Sequence, residues 1–196
     1  MRFVVVVDMQ RDFVVTSGAL PVPDAEAIVA PMQAWLAALD PADVAGVLMT
    51  FDTHMPAVYA RSPESSEFPI HCVQGTAGWE SVLDFTAIHP AIPVRALDKG
   101  VFDMWAEPGL TVRDMRGEGS EDKDRDAFFD ALAGSVDTVT VVGVAADYCV
   151  RWAVEGLIAR GYAVEIPASL TRGIVKGADV VCAELGAAVT LIPSAG

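Results

Sequence analysis

Thr138-Val139-Thr140-Val141-Val142-Gly143-Val144-Ala145-Ala146-Asp147-Tyr148-Cys149-Val150 decides how this chain folds. The β-branched run 138–142 reads as a buried strand. Residues 151–160 follow, with Val150, Val154, Leu157 and Ile158 at helical spacing. Cys149 is therefore expected in the first turn of a helix that leaves a strand. Unpaired N–H groups and the positive end of a helix dipole lower a thiol's pKa at such a place. A free cysteine is more often a small buried apolar residue. Its company elsewhere in the chain has to decide between the two.

Working outward, the same strand-then-helix alternation recurs. Strands are expected at 3–7, 46–51, 93–97, 138–142, 163–166 and 188–192, and the first is apolar throughout, as in a sheet buried on both faces. Asp24 is placed to cap a helix through Leu39, which Pro31 should kink or split. Further helices are expected from Asp124 to Leu132 and from about Lys176 to Ala187. Residues 9–23 read as a loop, 53–92 as a long irregular stretch of the kind that is usually functional, and 103–123 as a solvated surface loop. The pattern specifies one α/β domain over residues 1–196: a Rossmann-like parallel sheet of about six strands with helices on both faces.

The bulk composition narrows the function. With 53% apolar and 20% charged residues, disorder is excluded. A net charge of −14 argues against nucleic acid and against anionic membranes as partners. No apolar run approaches a membrane span. The chain opens on a strand without a signal-peptide layout, so a reducing, cytoplasmic setting is expected. Cys72, Cys149 and Cys182 cannot all pair, and their spacing makes neither a disulfide framework nor a zinc knuckle.

Parallel α/β sheets bind ligands beyond the carboxyl ends of their strands. Asp8, Asp52, Lys99 and Cys149 stand at four such ends. Any one of them reads as an ordinary surface charge or a buried thiol, and Asp8 with Lys99 reads equally as a structural ion pair. Together they outline one site for nucleophilic catalysis, with a carboxylate able to take the thiol proton. No Ser-His-Asp pattern competes, because none of the three histidines has the company of a nucleophile elbow. In Asp52-Thr53-His54, residues i and i+2 share a face, which suits a metal. His71 follows, with Glu64 and Glu67 before it, and two histidines with carboxylates suit zinc, iron or manganese. His89, beside Pro90, reads as an ordinary loop histidine.

These residues resemble the isochorismatase-like cysteine hydrolases, and within them the nicotinamidase/pyrazinamidase branch, over nearly the whole chain. The resemblance rests on Val7-Asp8-Met9-Gln10-Arg11-Asp12-Phe13, Asp52-Thr53-His54, Phe68-Pro69-Ile70-His71-Cys72-Val73-Gln74-Gly75-Thr76, Lys99-Gly100 and Gly143 to Val150. It implies Asp8, Lys99 and Cys149 as a catalytic triad. It also implies a cis peptide at Val144–Ala145 and an oxyanion hole from the N–H groups of Ala145 and Cys149. A divalent metal, zinc first, with iron or manganese as alternatives, would sit on Asp52, His54 and His71 and take a pyridine nitrogen. Phe13 and Phe68 would flank the substrate ring, with Trp105 reaching it too. Many relatives carry a third histidine soon after Asp-x-His, but residues 55–60 hold none. Glu64, seven residues before His71, has the spacing of an alternative ligand, with Glu67 second. The implied function is metal-dependent hydrolysis of nicotinamide to nicotinate and ammonia through a thioester. The alternative is a related amidase acting on a carbamoyl or ureido compound, and the resemblance suggests a homo-oligomer.

Overall fold

In chain order the strands are β1 Arg2–Val7, β2 Val44–Asp52, β3 Val94–Lys99, β4 Thr111–Asp114, β5 Lys123–Asp124, β6 Thr138–Val144, β7 Ala163–Pro167, β8 Thr171–Arg172 and β9 Val189–Ile192. The helices are α1 Arg11–Val14, α2 Val29–Ala37, α3 Pro56–Tyr59, α4 Arg125–Leu132, α5 Cys149–Ala159 and α6 Ala178–Leu185. This computed structural model describes residues 1–117 and 121–193. The strands run β5-β4-β3-β2-β1-β6-β7-β9 across one sheet, with β8 extending β6. All pairings are parallel except β3 with β4 and β4 with β5.

The alternation of β1 explains the layering. Val4 and Val6 pack on one face with Ile28, Met32 and Leu36. Phe3, Val5 and Val7 pack on the other with Phe129, Val154 and Leu157. Successive side chains of a strand point to opposite faces, so an unbroken apolar run requires helices on both. The chain builds outward from β1 to β2 and β3 on one side and from β6 to β7 and β9 on the other. The order therefore switches between β1 and β6, and a crevice opens beyond their carboxyl ends. Gly143 lets these two strands meet: its φ is +117°, and a Cβ there would lie 2.1 Å from the Val7 carbonyl oxygen.

Nine strands appear among the described residues, not six. β4 and β5 arise inside the stretch expected to be a surface loop, at the sheet edge, where Val112 is buried against Leu97. They span four and two residues, too short to show a period. Residues 118–120 of that stretch lie outside the described residues. The expected helix from Asp24 to Leu39 is also corrected. Ala25–Ile28 is a 3-10 turn, Asp24 has φ 58° and caps nothing, and α2 begins at Val29. Pro31 falls in the first turn of α2, where a missing N–H costs nothing, so the split precedes it. The 9–23 loop contains the single turn α1, and the irregular 53–92 stretch contains α3 and three 3-10 turns. Among the described residues no helix is long and apolar enough to cross a membrane.

Asp124 does cap its helix, accepting the Ala127 N–H at 3.1 Å. Asp124→Ala should lower stability by about 1 kcal/mol. Urea unfolding measures this, and an unchanged midpoint would remove the cap from the account.

Candidate active site

Asp8 follows β1 with φ 50°, so the chain turns sharply and its carboxylate points back over the sheet. The Thr50 hydroxyl donates to Asp8 Oδ1 at 2.6 Å. Lys99 ends β3, with its Nζ 2.8 Å from Asp8 Oδ2 and 3.3 Å from Asp52 Oδ1. The same Nζ lies 3.4 Å from Cys149 Sγ, and Cys149 opens α5. All four side chains are buried. Burial alone would pull Lys99 down, but Asp52 and Asp8 hold its ammonium well above the ordinary lysine value. Burial alone would push Asp52 up, but Lys99, His54 and His71 hold its carboxyl well below the usual carboxylate range.

The thiol does not behave as its address at a helix start suggests. Burial pushes Cys149 well up, Lys99 pulls against it, and Asp8 and Asp52 push it up further. Desolvation of the anion outweighs the helix end, so the resting group is a thiol rather than the thiolate expected from position. It shares a hydrogen bond with Asp8. A proton acceptor thus already touches the proton that has to leave.

The Val144–Ala145 peptide bond is cis. The Ala146 N–H is spent on the Arg172 carbonyl, and the Tyr148 and Val150 N–H groups on the Ala145 carbonyl. Among the described residues, no acceptor takes the N–H of Ala145 or of Cys149.

Beside the triad, Asp52, His54, Glu64 and His71 bring four ligand atoms within 4.8 Å of one another. Both histidine Nε2 atoms lie 3.0 Å from Asp52 Oδ2. The His71 Nδ1 sits 2.8 Å from the Pro69 carbonyl, which fixes Nδ1 as the donor and turns Nε2 inward. Glu64 Oε1 is 3.3 Å from His71 Nε2 and 3.7 Å from His54 Nε2, yet it has no hydrogen-bond partner. Both Nε2 atoms are directed at Asp52, which leaves Glu64 a buried anionic oxygen without a proton to accept. Burial pulls the His71 imidazolium down, but hydrogen bonds to Asp52 and Glu64 hold it up to about 10. The cluster therefore calls for positive charge, and two nitrogens with two carboxylates fit zinc, iron or manganese. Glu67, the other candidate from the sequence, is exposed and accepts the Tyr148 hydroxyl at 3.1 Å instead.

Of the three aromatic candidates, Phe13 packs on the His71 ring at 5.0 Å between centroids. Phe68 stands edge-on to Phe102 and Tyr148, at 5.8 and 5.4 Å. Trp105 is turned elsewhere. Its indole N–H donates to the Trp152 and Ala153 carbonyls, its ring covers Gly156, and Arg160 stacks on it at 3.8 Å. These contacts commit it to the flank of α5, where Gly156 leaves room that a side chain would fill. Phe102 and Tyr148 take the place by Phe68 that was expected of it. Sequence reasoning missed both, although Tyr148 directly precedes Cys149 and Phe102 lies three residues after Lys99. A cavity of about 560 Å³ opens outside this trio, lined by Glu64, Glu67, Phe102 and Trp152 among others.

A family model described as "Isochorismatase domain" matches residues 2–174. The chain is 32% identical over 188 residues to a nicotinamidase/pyrazinamidase of Mycobacterium tuberculosis, covering 94% of this chain and 92% of the relative. Among solved structures, it is similar to the pyrazinamidase of Pyrococcus horikoshii in complex with zinc, with a TM-score of 0.70 and 25% identity over 98% of this chain and 99% of the other. It shares its fold with N-carbamoylsarcosine amidase of Thermoplasma acidophilum, with a TM-score of 0.71 and 21% identity over 98% and 95% of the two chains. A sheet that switches order between β1 and β6, four reactive strand ends and a match spanning most of its length show that this chain belongs to the isochorismatase domain family.

Proposed function

We propose that this protein is a nicotinamidase: a metal-dependent cysteine amidohydrolase that converts nicotinamide to nicotinate and ammonia. The observation that carries the reading is the shared Asp52. One of its oxygens faces Lys99 of the triad, and the other faces both histidines of the metal cluster. A nucleophile and a Lewis-acid centre thus lie side by side, as hydrolysis of an amide on a nitrogen heterocycle requires. The curated relative in Mycobacterium tuberculosis carries this activity in its name.

Asp8 takes the Cys149 proton as sulfur forms its bond to the amide carbonyl carbon. The carbonyl electron pair moves onto oxygen, which the Ala145 and Cys149 N–H groups face. The C–N bond then breaks, Asp8 returns the proton to nitrogen, and ammonia leaves a thioester on Cys149. Water attacks that carbonyl carbon and gives a proton to Asp8. The C–S bond breaks, the sulfur regains a proton, and the carboxylate is released. Lys99 keeps Asp8 ionised between these steps and offsets the negative charge. A divalent cation held by Asp52, His54, Glu64 and His71, zinc foremost, supplies a Lewis acid for the pyridine nitrogen. Phe13 and Phe68 confine the ring.

Ammonia release from nicotinamide, measured with and without a strong chelator, tests the whole reading. Release that the chelator abolishes and zinc, iron or manganese restores is expected. Folded, metal-loaded protein that releases none overturns nicotinamide as substrate and directs the search to carbamoyl and ureido amides.

A further inference from the structure

Asp52 is the last residue of β2, and β1 has already left its side. The β1–β2 ladder ends at Val7 and Thr50, because Asp8 turns away with φ 50°. The peptide N–H and carbonyl of Asp52 on that edge are thus buried beyond the end of the neighbouring strand. An unpaired buried peptide group costs about 1–3 kcal/mol. Gln10 fills the gap with its side chain. Its Oε1 accepts the Asp52 N–H at 2.8 Å, and its Nε2 donates to the Asp52 carbonyl at 2.8 Å. The second Nε2 hydrogen goes to the Trp79 carbonyl at 2.9 Å, and the Trp79 indole donates in turn to Thr53 Oγ1. Gln10 is fully buried, and both of its amide hydrogens are spent on backbone. It has no donor left for a substrate.

Two residues on, Asp12 does the same for the other ligand segment. Its Oδ2 accepts the N–H of Cys72, the residue after His71, at 2.7 Å, while Oδ1 accepts the Ala19 N–H. Cys72 has φ 44°, an unfavourable conformation for a non-glycine residue, and its carbonyl accepts the His54 N–H. Asp12 thus steadies a kink that sits between two ligands.

We infer that Gln10 and Asp12, projecting from the start of α1, are positioning residues of the metal centre: Gln10 sets Asp52, and Asp12 sets His71 and, through Cys72, His54. The inference rests on the metal reading above. Neither side chain touches the triad's reacting atoms. Outer groups that orient metal ligands typically cost 10–100-fold in affinity when removed.

The test is zinc affinity by competition with a chromophoric chelator, on intact protein whose fold is checked by circular dichroism. Gln10→Ala and Asp12→Asn should each weaken zinc by about 10–100-fold. Asp124→Ala, a helix-cap change far from this network, serves as the control for general destabilisation and should leave the affinity unchanged. Asp12→Asn keeps one acceptor and much of the volume, so it remains informative if Gln10→Ala fails to fold. Zinc binding by both folded variants within about twofold of the parent would overturn the positioning role alone, since a merely structural role predicts no such loss. A parent protein that takes up no zinc, iron or manganese would overturn the metal reading, and this inference with it.

Discussion

Cys149→Ala is expected to abolish amide turnover while leaving the fold intact. Loss of an enzymic nucleophile costs on the order of 10⁴–10⁶ in rate where the group acts as a unit with its base. The structural cost is small, because alanine fits the same volume, and the lost contacts are the weak Lys99–sulfur bond at 3.4 Å and the thiol's bond to Asp8. Ammonia release and circular dichroism on the same preparation separate the two effects. Appreciable release by the folded variant would sink the covalent mechanism. Cys182→Ala is the matched control: Cys182 lies on α6, packed in the core, and should leave turnover unchanged. The raised pKa of Cys149 adds a pH signature. A group pushed above the ordinary thiol value holds less thiolate at neutral pH, so iodoacetamide should alkylate it more slowly than free cysteine. That rate should still be climbing above pH 9, where free cysteine levels off. Slow labelling at pH 7 is therefore what this geometry requires of a nucleophile that hands its proton to Asp8 only when substrate arrives. Labelling that saturates below pH 8 would contradict the burial argument.

Glu64→Ala is expected to split stability from metal binding. Without a metal, Glu64 Oε1 is a buried anionic oxygen with no hydrogen-bond partner, close to a second carboxylate. Removing it relieves a desolvated charge, so the metal-free variant should be as stable as the parent or more so. With zinc present the order reverses. The parent gains stability as RT ln(1 + [L]/Kd), about 2.7 kcal/mol at 100 times the Kd, and the variant loses most of that gain with its ligand. Thermal melts with and without zinc give both numbers. A large zinc-induced rise in Tm for the parent and little or none for Glu64→Ala is the expected pattern. Glu67→Gln should behave as the parent does, because its partner is the Tyr148 hydroxyl, and glutamine can accept that bond too. Equal rises in Glu64→Ala and the parent would remove Glu64 from the ligand set.

What could be read before folding was whatever the chain encodes locally. Runs such as Phe3–Val7 and Thr138–Val142 declare buried strands, because an alternating side-chain direction leaves no polar face. Strand–helix alternation then implies a parallel sheet, and a parallel sheet places Asp8, Asp52, Lys99 and Cys149 on one rim. Asp52 and His54 declare themselves by sharing a face two residues apart.

Other features depend on what meets across the fold. Glu64 and Glu67 are chemically identical and three residues apart. Only the 3-10 turn Pro63–Ser66, seated over the cluster, directs the first inward and leaves the second to Tyr148. The thiol's pKa runs opposite to its helix-start address, because desolvation is set by everything packed around a group. Trp105 faces α5 because Gly156, 51 positions later, leaves it a place. β4, β5 and β8 exist only through partners distant in sequence and are too short to show a period of their own. Gln10 was legible as part of a motif, but its work at Asp52 was not. The need it meets appears only where β1 ends two residues before its neighbour does, and that offset belongs to the folded sheet.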